Sequence, residues 1–82
     1  MFSYTICNYA NKEIFRKQCA ALEKYIPGIR KGIFLHDVDD TMIQKYSHPK
    51  GATEVLSDTE VGAVYIDSDF DLRPYFKNKS ND

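Results

Sequence analysis

The stretch from Lys12 to Ile26 limits the fold of this chain most. Ile14, Phe15, Cys19, Leu22, Tyr25 and Ile26 recur at spacings of three and four, while Lys12, Glu13, Arg16, Lys17, Glu23 and Lys24 fill the opposite side of the wheel. That periodicity predicts an amphipathic helix, capped by Asn8 or Asn11 and ended by Pro27-Gly28. A helix with one apolar side needs a surface to cover, and the flanking segments read as strands. Phe2–Cys7 alternates apolar with small polar residues and reads as a first strand. Lys31–Val38 reads as a second strand and Thr41–Tyr46 as a third, joined through Val38-Asp39-Asp40, where aspartate suits a turn. Ser47–Glu60, with Pro49, Gly51 and few large apolar residues, reads as a connection with room for a short element around Val55-Leu56. Val61–Leu72 reads as a long fourth strand in which Gly62 and Ser68 are the places for a bulge or bend.

These elements predict a single α+β domain over residues 1–76, a two-layer sandwich in the order β-α-β-β-β. One amphipathic helix lies on a largely antiparallel sheet of about four strands, followed by a flexible polar tail over 77–82. A ferredoxin-like arrangement would need a second helix, for which the sequence supplies no convincing segment. Eighty-two residues with 43% apolar content suffice for one modest core. The apolar runs are too short to span a membrane, and the first residues lack the pattern of a signal peptide, so a soluble cytoplasmic protein is expected. Cys7 and Cys19 form no CxxC pair and read as small buried hydrophobes. His36 and His48, twelve apart, form no recognisable ligand pair and read as structural or surface residues.

The net charge of −1 conceals blocks of opposite sign. Residues 1–31 carry six basic and two acidic side chains, whereas residues 32–72 carry two basic and nine acidic ones. Blocks of charge create local fields that steer partners. The acidic block includes an alternating row near the end, Tyr65-Ile66-Asp67-Ser68-Asp69-Phe70-Asp71-Leu72. Read as a strand, it sends Tyr65, Asp67, Asp69 and Asp71 to one face, with successive carboxylates roughly 7 Å apart. Such a row can mimic a nucleic-acid backbone, hold a cation or meet a basic partner. It also imitates the start of a calcium loop, but Leu72 stands where that loop needs glycine and Asn78 where it needs glutamate. A looser magnesium or calcium site would require this row to converge with Asp37, Asp39 or Asp40.

Ile33-Phe34-Leu35-His36-Asp37-Val38-Asp39-Asp40-Thr41 resembles the first motif of haloacid dehalogenase-type phosphatases, an apolar strand followed by Asp-x-Asp-x-Thr. The resemblance implies Asp37 as the nucleophile, Asp39 as the acid/base and magnesium as the metal, a sound use of a carboxylate. His36 interrupts the apolar strand, however. The roughly forty residues after Thr41 are too few for the layers that carry that family's lysine and metal-binding carboxylates. The residues themselves read as a charged hairpin turn.

The sequence therefore predicts a non-enzymatic protein-binding module with no catalytic residues, metal or cofactor. Tyr65, Asp67, Asp69 and Asp71 would contact a basic protein partner such as a nuclease, toxin or nucleic-acid-handling complex, and Asp37, Asp39 and Asp40 would extend the field. This is the pattern of inhibitor, immunity or anti-defence proteins. The alternatives are a nucleic-acid-binding domain using the basic helix, with Lys12, Arg16, Lys17 and Lys24, and a metal-dependent phosphatase-like enzyme on Asp37 and Asp39.

Overall fold

A computed structural model describes residues 1–76; the tail expected over 77–82 lies outside them. The described chain folds into β1 (Phe2–Cys7), α1 (Lys12–Tyr25), β2 (Arg30–His36), β3 (Met42–His48), β4 (Gly51–Asp58), β5 (Ala63–Ser68) and α2 (Arg73–Phe76). The five strands form one antiparallel sheet in the order β1-β5-β4-β3-β2. Strands β2 to β5 follow one another as a meander, and β1 closes the far edge against β5.

Helix α1 therefore has to carry the chain from one edge of the sheet to the other. Its fourteen residues extend about 21 Å, and four strand spacings come to about 19 Å, so the lengths match. Asn11 starts it: the cap carboxamide oxygen accepts from Ile14 N at 2.9 Å. Its end falls before Pro27, with Gly28 at φ +81° reversing the chain. Phe15, Cys19, Leu22 and Ile26 on its inner side meet Met42, Tyr46, Val55 and Ile66 of the sheet in the core.

The structure differs from the sequence reading in three elements, one of them the short helix α2 at Arg73–Phe76, where a single helix was expected. The expected connection over Ser47–Glu60 contains β4, the central strand. It escapes a hydrophobicity pattern because two of its helix-facing residues are Thr53 and Ser57, both 2% exposed. Each is paired: the Thr53 and Ser68 hydroxyls lie 3.0 Å apart, and Ser57 Oγ accepts from Asn11 N at 3.1 Å. The strand expected over Val61–Leu72 stops at Ser68. Beyond it Ser68 Oγ accepts from Phe70 N at 3.2 Å, the chain turns, and Phe70 and Leu72 reach the core from outside the sheet.

Smaller features fix the edges. A register shift between Lys31 and Phe34 places a bulge in β2, and the buried Gln44 side-chain amide donates to Gly32 O at 3.0 Å there. Lys50 N donates to His48 Nδ1 at 3.1 Å, so Nε2 carries the proton and donates to Pro27 O at 2.9 Å. The same ring stacks on Phe70 with centroids 4.7 Å apart, tying the end of α1, the β3–β4 hairpin and the segment after β5 together. Cys19 is buried as expected, whereas Cys7 is half-buried at the end of the edge strand β1 and donates its thiol to Tyr9 O. Among the described residues no helix is long and apolar enough to cross a membrane.

Candidate functional site

Alternation along each strand divides the sheet into a face under α1 and an opposite face on which no helix packs among the described residues. The register sets four outer-face side chains directly beside one another, Leu35–Ile43–Leu56–Tyr65, with Thr5 completing the row on β1. Neighbours in such a row stand about 5 Å apart, so the apolar part crosses about 15 Å of sheet. Leu35 is 47% exposed and Ile33 beside it 65%, whereas Leu56 at the centre is buried.

Carboxylates border this row on two sides. Toward the end of β5 the next outer row is Lys45–Glu54–Asp67–Ser3, with Ser3 Oγ donating to Asp67 at 2.6 Å. At the other end Asp58 caps the turn before β5, accepting from Glu60 N and Val61 N at 2.9 and 3.1 Å. The Tyr65 hydroxyl reaches the second of these sides: it donates toward Asp58 at 3.4 Å. Its ionisation is pushed up by burial first, then by the negative charge of Asp58 and Asp67.

The expected row of three aspartates does not form. Only Tyr65 and Asp67 share the outer face, because β5 ends at Ser68. Asp69 folds back on the start of β4, its carboxylate accepting from Ala52 N and its own N donating to Ala52 O, both at 2.9 Å. Asp71 turns toward β1 and α2: it accepts from Tyr4 Oη at 2.8 Å and is gripped by Arg73 Nε and Nη2 at 2.9 and 2.8 Å. The Arg73 guanidinium, then the Arg73 N–H and the Tyr4 hydroxyl, hold its carboxyl well below the usual carboxylate range. These two carboxylates serve chain geometry.

Asp37, Asp39 and Asp40 occupy the tip of the β2–β3 hairpin, at the opposite end of the sheet from Asp67 and Asp69. Asp37 N donates to Thr41 O at 2.8 Å and closes the turn, with Asp40 at φ +71°. Asp39 accepts from Thr41 N, which lowers its carboxyl's proton affinity, and Asp40 is held low by His36 at 2.9 Å, then by Lys12 at 3.6 Å. The Asp-x-Asp-x-Thr segment is thus a hairpin turn, and the two aspartate groups do not converge. Among the described residues no group of three His, Cys, Asp or Glu side chains is placed to hold a metal ion.

The sequence reading missed Glu54, Leu56, Ile43 and Leu35 as one surface. Its only trace is the alternation around Ile33 and Leu35; the rest depended on β4, whose register brings Leu56 between Ile43 and Tyr65. No protein-family model, curated protein or solved structure matches this chain.

Proposed function

We propose that this chain is a protein-binding module whose open sheet face seats on a basic target, such as a nuclease, toxin or nucleic-acid-handling complex, as an inhibitor or immunity protein would. The observation that carries this reading is the apolar row Leu35–Ile43–Leu56–Tyr65 aligned across four strands and flanked by Glu54, Asp67 and Asp58. An apolar centre with a polar rim is how a protein interface is built. A uniformly charged mimic of a nucleic-acid strand would lack that centre. Tyr65 supplies an aromatic anchor. Glu54 and Asp67 form charge-assisted bonds to arginine or lysine of the target, and the hairpin aspartates add to the field that speeds encounter. Asp69 and Asp71 leave the contact set, since they lie beyond the end of β5 and bond to Ala52, Tyr4 and Arg73 instead.

The test is capture from nuclease-treated extract of the source organism on immobilised protein, followed by calorimetry with the retained protein. Two variants run beside the wild type: Leu35→Ser, and Glu54→Gln with Asp67→Asn. One stoichiometric protein is expected on the wild type, lost or weakened in both variants, with affinity falling as salt rises. Identical retention by all three proteins would dismiss the reading.

A further inference from the structure

The bulge in β2 has a second effect, on the face under α1. Strict alternation would put Lys31 and Phe34 on opposite faces; the extra residue between them turns both toward the helix. Together with α1 they enclose a groove of about 650 Å3, open to solvent and separate from the outer face. Its floor is apolar, with Phe15 buried and Phe34 49% exposed, their ring centroids 6.2 Å apart. The His36 ring lies 6.2 Å beyond Phe34. Its rim is cationic: Lys12 and Arg16 from the helix and Lys31 from the strand, with Glu23 the one carboxylate in the lining among the described residues. Glu23 faces Lys31 at 3.8 Å, and Asp40, outside the groove, faces Lys12 at 3.6 Å. No ion pair involves Arg16 among the described residues.

The geometry points to a nucleotide site in this groove: a base stacked on Phe34 with its phosphate at Arg16, assisted by Lys12 and Lys31. An exposed ring beside a row of cations matches a ligand in which a flat ring and an anion are covalently joined. The same chemistry is offered by a free mononucleotide and by one unit of a single strand.

The experiment titrates the full chain at low salt with AMP and, separately, with a fluorescently labelled short single-stranded oligonucleotide. Saturable binding tighter than about 1 mM is expected for at least one of them. Comparable AMP affinity assigns the site to free nucleotides, and oligonucleotide binding alone assigns it to strands. Phe34→Ala and Arg16→Gln should each weaken binding about tenfold, with circular dichroism verifying the fold. Lys17→Gln, on the solvent side of α1, and Asp67→Asn, on the outer face, should leave it unchanged. Absence of binding, equal losses for Lys17→Gln and Arg16→Gln, or preference for an acidic peptide over both nucleotides would overturn the assignment. None of these results depends on the outer face.

Discussion

Replacing Gly51 with alanine probes the feature that removes Asp69 from the acidic row. Gly51 opens β4 at φ +141°, in a region that only glycine enters freely. A Cβ there would stand 2.5 Å from Asp69 Cβ, a backbone-proximal atom that cannot swing aside. Forcing the backbone angle costs about 1–3 kcal/mol. Displacing Asp69 also weakens its carboxylate bond to Ala52 N and its amide bond to Ala52 O, each worth about 1 kcal/mol. Together the loss comes to about 3–5 kcal/mol, against a total stability of roughly 4–12 kcal/mol for 82 residues. Urea denaturation followed by circular dichroism reads this directly, and the melting temperature should fall by roughly 12–40 °C. A double-mutant cycle isolates the steric part. In an Asp69→Gly background the opposing Cβ is gone, so the combined cost should be less than the sum of the single costs. A loss under about 1 kcal/mol, or strict additivity, would refute the close approach of Asp69 to the start of β4.

Two further perturbations probe the polar contacts that shape the sheet edges and core. Asp71 has a depressed proton affinity in the folded chain. Its stabilisation is therefore complete above the unfolded carboxylate pKa near 4 and is lost as pH falls through the lower folded value. The melting temperature of the wild type should drop in acid more steeply than that of Asp71→Asn; equal slopes would contradict the assigned contacts. Tyr46, 3% exposed, donates to Glu23 at 2.6 Å, and burial followed by that bond raises its pKa beyond the normal tyrosine range. In an alkaline absorbance titration it should be the last of the six tyrosines to ionise. Tyr46→Phe should cost about 1–2 kcal/mol, since the half-exposed Glu23 regains water; an unchanged midpoint would show the bond to be idle.

Legibility in the sequence followed the strength of local signals. Helix α1 was readable to within a residue because periodicity, an asparagine cap and a Pro-Gly stop all agree. The β2–β3 turn was readable from its aspartates. Strand β4 was not, since Thr53 and Ser57 occupy inward positions that only their distant partners Ser68 and Asn11 make tolerable. The end of β5 was hidden for the opposite reason: Phe70 and Leu72 continue the alternation into a segment that has left the sheet, although both are buried. The acidic row inherited that error, which is why Asp67 alone of the three aspartates stayed on the outer face. The apolar row beside it combines residues from four strands, so no single stretch of chain displays it. The β2 bulge likewise depends on the Gln44 side chain, twelve residues away from Gly32.

The measurement closest to the central claim is a methyl-resolved NMR titration of Ile- and Leu-labelled protein with the partner retained from extract. Ile33, Leu35, Ile43 and Leu56 on the open face should shift or broaden on binding. Leu22, Ile26 and Ile66, in the core beneath α1, should keep their positions. Perturbation confined to the helix side, with the outer-face methyls unmoved, would contradict the assignment of the open sheet face as the docking surface.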